Sequence, residues 1–389
     1  MAIQNLKDLK LSGKKVFIRS DLNVPIQNNK IVSTNRIDSS IPTIQFVLDH
    51  GGTVILSSHL GRPTEGQFDP GLSLRPIVDY LSTKLDLEVK LHHDFSPHHL
   101  SFESDQLHVL ENVRFNKGEK SCDENLSKQY AAISDVFVMD AFGTAHRKEA
   151  STFGIGKYVK EKCAGLLFAK EIEALTKTFE KPNQPMFAVV GGSKVSTKLS
   201  VLKNLINKVD GLILGGGILN TFIAAQGINI GKSLYEKDFI DDAKIILDII
   251  KEKKIFFPEI IDVVCATELS ENAEAIIKDI QELSSNDMIL DLGPKTLTGI
   301  TDKLNHVETI LWNGPIGVFE LNQFSNGTKI LSEAIAQSGA YSLAGGGDTI
   351  AAIEKFNVTE AISYISSAGG AFLEFAEGKK LPAIEILES

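Results

Sequence analysis

Arginine is missing from most of this chain. Arg19, Arg36, Arg62, Arg75, Arg114 and Arg147 are all there are, and none lies beyond position 147. Eight of the nine histidines, all but His306, fall in the same first part. The rest of the chain carries positive charge on lysine alone. Arginine is suited to planar, bidentate capture of carboxylate and phosphate, so the asymmetry points to a first half that binds a small polyanion. Cysteine is scarce too: Cys122, Cys163 and Cys265 are scattered with no CxxC, which fits a reduced, cytoplasmic setting. No run approaches the ~18 apolar residues of a membrane helix, and Met1 to Lys7 has no apolar leader core. A net charge of -10 argues against a nucleic-acid surface, which needs a basic face.

Familiar nucleotide motifs are also absent. Gly227-Ile228-Asn229-Ile230-Gly231-Lys232-Ser233 is one residue short of a P-loop and follows no clear strand. No G-x-G-x-x-G follows the first strand, no H-R-D or D-F-G pair marks a protein kinase, and there is no G-x-S-x-G elbow.

What is present is a repeated strand–turn–helix pattern over 389 residues, with 43% hydrophobic and 23% charged residues. That length predicts two domains, and the alternation predicts parallel sheets. In the first half Lys15 to Ser20 reads as a strand leading to Asp21-Leu22-Asn23-Val24-Pro25. Arg36 opens a helical pattern, and an arginine in a first turn opposes the helix dipole. Thr53 to Leu56 leads to Ser58-His59-Leu60-Gly61-Arg62-Pro63. Leu107 to Val113 leads to Arg114, and Val136 to Asp140 leads to Ala141-Phe142-Gly143-Thr144-Ala145-His146-Arg147. Asp21 and Asn23 are equally readable as turn-formers, and Arg75 as part of a solvated helix face. Even so, five of six arginines at or near one sheet edge describe a basic pocket, since open α/β sheets bind ligands past their strand ends. His92, His93, His98, His99 and His108, with Pro97 among them, fit no zinc spacing and read as loop.

A long helical pattern, Ala164 to Glu180, closes at Lys181-Pro182 and separates the halves. Beyond it, Phe187 to Val190 leads to Gly191-Gly192-Ser193-Lys194-Val195-Ser196-Thr197-Lys198. If a helix starts near Val195, the two lysines lie at i and i+4 and point the same way. Gly211 to Leu214 leads to Gly215-Gly216-Gly217, Met288 to Leu290 to Asp291-Leu292-Gly293-Pro294, and Thr309 to Leu311 to Trp312-Asn313-Gly314-Pro315. Tyr341 to Ala344 leads to Gly345-Gly346-Gly347-Asp348-Thr349. Glycines ahead of a helix let backbone N–H groups approach an anion. An aspartate among them suits a phosphate carried with Mg²⁺, while taken alone the stretch reads equally as a Gly-rich connection with Asp348 or Thr349 as helix N-cap. Ile362 to Ser367 reads as a strand, with Gly369-Gly370 opening a last helix.

As an ordered series, Arg19-Ser20-Asp21-Leu22-Asn23-Val24-Pro25, Ser58 to Pro63, Asp140 to Arg147, Gly191 to Val195, Leu214 to Gly217, Trp312 to Glu320 and Gly345 to Thr349 resemble the phosphoglycerate kinases. The resemblance runs from Val16 to Ile386. It implies two doubly wound, Rossmann-like parallel-sheet domains joined by a helix, with a C-terminal crossover to the first domain. The expected limits are 1–163 with 370–389, a helix over 164–181, and 182–369. It implies reversible phosphoryl transfer between 1,3-bisphosphoglycerate and MgADP, giving 3-phosphoglycerate and MgATP, by in-line transfer after hinge closure. Asp21, Asn23, Arg36, His59, Arg62, Arg114 and Arg147 are then expected to hold 3-phosphoglycerate. Lys194, Lys198, Asn313, Glu320, Gly346, Gly347, Asp348 and Thr349 are expected to hold ATP or ADP, Asp348 through Mg²⁺. Arg36, Lys194, Lys198 and the Gly369 and Gly370 amides take the catalytic part. A cytoplasmic monomer with small-molecule partners is expected.

The chemistry agrees with that division. A carboxylate acceptor is already ionised at neutral pH, its pKa lying near ~4, so no general base is needed. The reaction requires alignment and charge neutralisation on the passing phosphoryl unit. Some positions depart from the family pattern: Ser193 and Thr197 stand where Ala and Asp are usual, Lys148-Glu149 where Ala-His is common, and Ala368 where glycine is usual. Other readings are a different carboxylate or acyl-phosphate kinase on this scaffold, or a non-catalytic nucleotide- or glycerate-sensing protein descended from such a kinase, which loss of several of these Arg or Lys partners would favour.

Overall fold

The computed structural model describes residues 3–27, 29–93, 102, 106–366 and 368–389. His98 and His99, read above as loop, and Ser367, read as strand, lie outside the described residues. The chain forms two compact units, Met1–Glu173 with Lys380–Ser389, and Ala174–Lys379.

In the first unit the elements run β1 (Lys15–Ser20), β2 (Ile26–Gln27), β3 (Lys30–Ile31), α1 (Asn35–Asp49), β4 (Thr53–Ser57), α2 (Arg75–Leu85), β5 (Val89–His92), β6 (Leu107–Leu110), α3 (Glu124–Ala132), β7 (Val136–Asp140), β8 (Glu161–Ala164) and α4 (Leu166–Phe179). Six of these strands form a parallel sheet in the order β5-β6-β4-β1-β7-β8. The central strands β4, β6 and β7 are buried throughout, as sheets covered on both faces require of Val/Ile/Leu runs. The edge strands β5 and β8 carry polar, half-buried positions, and no apolar run marks them in the sequence.

The second unit continues with β9 (Met186–Val190), α5 (Leu199–Leu205), β10 (Gly211–Leu214), α6 (Gly216–Ala225), α7 (Ile240–Lys253), β11 (Asp262–Ala266), β12 (Ile276–Asp279), β13 (Met288–Leu292), α8 (Pro294–Leu304), β14 (Thr309–Asn313), α9 (Asn326–Gln337), β15 (Tyr341–Gly345), α10 (Gly347–Lys355), β16 (Tyr364–Ser366) and α11 (Gly369–Ala376). Its five-stranded parallel sheet is ordered β10-β9-β14-β15-β16. The Met288 strand, expected in that parallel series, belongs instead to a separate antiparallel sheet, β12-β11-β13. A strand–turn–helix pattern gives the chain's next step but not the direction of its strand's partner. Here β11 supplies that partner, with an irregular register between Val264 and Cys265.

The division between the units falls within α4, so this helix is continuous across it. Residues 370–379, expected with the first unit, group with the second. The reason is packing: Phe372 and Phe375 of α11 meet Phe179, and Asn204 Nδ2 donates to the Ala376 carbonyl at 2.6 Å. The return to the first unit is made by α12 (Pro382–Glu388), a helix beyond the one read as last, and Ala383 N–H donates to Ala145 O at 3.0 Å.

Candidate active site

Because the first sheet is parallel, the segments after β1, β4, β6 and β7 leave from one edge. That edge collects the predicted polar residues. Asp21 Oδ2 accepts from Arg36 Nη1 at 3.1 Å, and the same nitrogen donates to Asn23 O at 3.1 Å. Asn23 Oδ1 accepts from Gly61 N–H at 2.9 Å, which ties the β1 turn to the β4 turn. Asp21 and Asn23 thus form turns and also present side chains.

His59 is buried among arginines. Burial first, then Arg19, Arg114, Arg147 and Arg36, holds its pKa far below the ordinary imidazole value, so the ring is neutral. Arg114 is buried, donates from Nη1 to Gly61 O at 2.7 Å and faces Glu149 Oε1 at 3.5 Å. Arg147 Nη1 lies 4.0 Å from the same carboxylate oxygen, and its Nε meets His146 Nε2 at 3.3 Å. Arg62 is exposed and makes no hydrogen bond or ion pair among the described residues. Arg75 sits apart on the solvent side of α2, paired with Asp79.

Several supports were not singled out from the sequence. Asn112 donates from Nδ2 to Leu60 O and Leu72 O and accepts from Arg114 N–H, holding the β4 and β6 turns together. Arg19, one of the arginines of this edge, has no part in the expected substrate set. It is fully buried, with its Nε on Ser151 Oγ at 2.8 Å. Ser151 in turn meets the buried carboxylate of Glu119, whose pKa burial raises to about 7. Nothing in a lone K-G-E run signals such a partner.

The second unit's parallel sheet delivers a different set. The two lysines are not an i,i+4 helical pair: Lys194 is extended, a short turn spans Val195–Thr197, and α5 begins only at Leu199. Lys194 is exposed and feels Glu236, which holds the loop by accepting from Ser196 N–H and Oγ at 2.7 Å each. Lys198 turns inward instead, donating to Gly191 O at 2.6 Å and Asn313 O at 2.8 Å. Burial lowers its pKa to about 8 against the opposing pull of Asp348.

Asn313 Nδ2 donates to Gly345 O at 2.7 Å. Thr349 Oγ1 donates to that carbonyl at 2.8 Å and accepts from Gly314 N–H at 2.8 Å, so the β14 and β15 turns lock together. Gly346 has φ of 101°, a conformation that favours glycine. Asp348 lies exposed in the first turn of α10, and its side chain makes no hydrogen bond or ion pair among the described residues. Gly369 and Gly370 are exposed at the start of α11, beside β15 through the Phe372–Gly345 approach. Glu320 is exposed in a turn, and among the described residues only its backbone carbonyl is engaged, by Lys355 at 3.5 Å.

The glycines divide into two kinds. A Cβ at Gly191 would strike Pro315 O, one at Gly215 the Ile316 backbone, and one at Gly217 Ser193 O. Those glycines serve the close packing of turns. Gly347 and Gly369, each at a helix start, have open space where a Cβ would stand, so no side chain or backbone crowds that side of them. The P-loop lookalike is packed away: Gly231 abuts the Ser284 and Asp287 carbonyls, and Lys232 N–H donates to Asp287 O at 2.7 Å.

Comparison with known proteins gives this arrangement a relative at full length. The family model described as phosphoglycerate kinase matches residues 6–379. The chain belongs to the phosphoglycerate kinase family. It is 56% identical over 388 residues to the phosphoglycerate kinase of Francisella philomiragia, spanning 100% of this chain and 99% of that one. The Vibrio campbellii phosphoglycerate kinase is 54% identical over 389 residues, again covering 100% and 99%. The solved structure of phosphoglycerate kinase from Coxiella burnetii superposes with a TM-score of 0.97 at 50% identity, covering 100% of this chain and 99% of that chain. The Pyrococcus horikoshii structure gives 0.80 at 31%, covering 99% and 98%.

The departures from the phosphoglycerate kinase pattern now have physical places. Thr197 Oγ1 donates to Lys194 O at 2.8 Å, closing the turn that carries the lysines. Glu149 is buried between Arg114 and Arg147. Ala368 is extended at φ -103°, so this position does not call for the positive φ that favours glycine.

Proposed function

We propose that this chain catalyses reversible phosphoryl transfer between 1,3-bisphosphoglycerate and ADP, giving 3-phosphoglycerate and ATP. Membership of the phosphoglycerate kinase family over nearly the whole chain supports the reaction. The observation that carries the residue assignment is the arginine edge of the first unit, where a neutral, buried His59 sits among Arg19, Arg36, Arg114 and Arg147. Such a concentration of fixed positive charge suits a small polyanion rather than a neutral metabolite.

In this reading Asp21, Asn23, Arg36, His59, Arg62, Arg114 and Arg147 hold phosphoglycerate. Lys194, Lys198, Asn313, Glu320, Gly346, Gly347, Asp348 and Thr349 hold the nucleotide. Asp348 fits a divalent cation, being an exposed, uncommitted oxygen donor in the first turn of α10, and it would hold Mg²⁺ carried on the nucleotide phosphates. When bound, that ion neutralises phosphate charge. The protein's own part is to orient the two reactants and stabilise charge on the transferring group, through Arg36, Lys198, Lys194 and the amides of Gly369 and Gly370. Transfer in line then requires closure about α4. A coupled assay tests the reading: MgATP-dependent phosphorylation of 3-phosphoglycerate is expected, and no turnover removes it.

A further inference from the structure

The first unit's site contains a buried chain of side chains that reaches inward from the pocket to a carboxylate. Arg19 is completely buried, and each direction of its guanidinium is used: Nη1 donates to Ser20 O, Nε to Ser151 Oγ, and Nη2 faces His59 Nδ1 at 3.4 Å. Ser151 Oγ donates to Glu119, also wholly buried, and Ser151 N–H donates to the same carboxylate at 3.2 Å. A guanidinium has no acceptor and stays protonated. Its partner nitrogen on the imidazole must therefore be the lone-pair one.

We propose that Arg19, held by Ser151 and Glu119, is a positioning residue that fixes His59 in the tautomer bearing hydrogen on Nε2, so that the ring donates to the anionic substrate. The opposite tautomer would set an Nδ1–H against the Arg19 N–H donors. No group among the described residues takes the Nε2 hydrogen, which leaves it for a ligand. The charges facing His59 are Arg19 on β1, Arg36 on α1, Arg114 after β6 and Arg147 after β7, all positive, so the ring gains nothing from protonation. Glu119, whose pKa burial raises to about 7, supplies a buried counter-charge to Arg19 through Ser151 above that pH.

The role rests on the phosphoglycerate reading of this pocket, but its test does not need substrate. Histidine-labelled protein is examined by ¹⁵N–¹H correlation of ring resonances between pH 5.5 and 8, with His59 assigned by the signals lost in His59→Gln. A pyrrole-type Nε2 and a pyridine-type Nδ1 throughout that range are expected. An Nδ1–H tautomer, a mixture of the two, or an imidazolium overturns the proposal even if the enzyme turns over normally. Arg19→Gln, able to donate or accept, should release the lock: a mixed tautomer and a KM for 3-phosphoglycerate raised roughly tenfold, with kcat changed less. Should that variant misfold, Arg19→Gln with Glu119→Gln removes both buried charges together, and the same mixed tautomer is expected. Retention of the pure Nε2–H form there contradicts a role for Arg19.

Discussion

Lys198 is the residue on which most of the proposed chemistry turns. Its ammonium group is buried against the Gly191 and Asn313 carbonyls at the strand ends, where charge acts in a less polar medium than water. Lys198→Met is expected to lower kcat by about 10²–10³-fold, as removal of a charge-stabilising donor commonly does, while the KM for MgATP changes less. An unchanged kcat would show that the ammonium acts elsewhere. Because burial lowers its pKa from 10.5 to about 8, the charged form is present below that value and lost as pH rises through it. Activity should accordingly fall above about pH 8. Lys198→Arg, which does not deprotonate, should lack this alkaline limb even at a lower overall rate. Arg62 provides the contrast, being exposed and uncommitted. Arg62→Met should weaken 3-phosphoglycerate binding roughly tenfold with little effect on stability, and calorimetric titration at wild-type affinity would take it out of the pocket. At this scale the sequence was informative about charge and poor about partners. Residue type and position after a strand pointed to His59, Arg114 and Arg147, and the structure brings these together with Arg36 of α1. The partners of the buried carboxylates Glu119 and Glu149 were not readable, because they lie 32 and 35 residues away in the chain.

Among elements, the turns matter more than the helices. The packing of the Gly191, Gly215 and Gly314 turns against one another brings the Asn313 and Gly191 carbonyls to Lys198. Gly191→Ala would press a methyl group into the Pro315 carbonyl, where only backbone could yield. A loss of about 2 kcal/mol or more is expected, in the range of overpacking, seen as a lowered thermal midpoint. Gly347→Ala meets open space and should leave the midpoint within about 1 °C while raising the KM for MgATP. If the two variants behave alike, the division of the glycines into packing and ligand-facing kinds is wrong. Strand–glycine–helix alternation made the parallel sheets legible, since buried parallel strands are unbroken apolar runs. It also misled. The same local pattern at Met288 introduces an antiparallel strand, and the i,i+4 alignment of Lys194 and Lys198 assumed a helix that begins only at Leu199. The edge strands Val89–His92 and Glu161–Ala164 carry too few apolar residues to announce themselves.

For the molecule as a whole, the absence of arginine beyond position 147 is matched by two chemically distinct units. One presents guanidinium groups, the other ammonium groups with glycine-lined helix starts. The proposed reaction asks both to act on one phosphoryl group, so the two substrates together must hold the protein in a state that neither holds alone. Small-angle scattering on the protein alone, with 3-phosphoglycerate, with MgATP analogue, and with both tests this most directly. A radius of gyration that falls when both ligands are bound, beyond the change with either, is the predicted result. A radius indifferent to the ternary complex would contradict it.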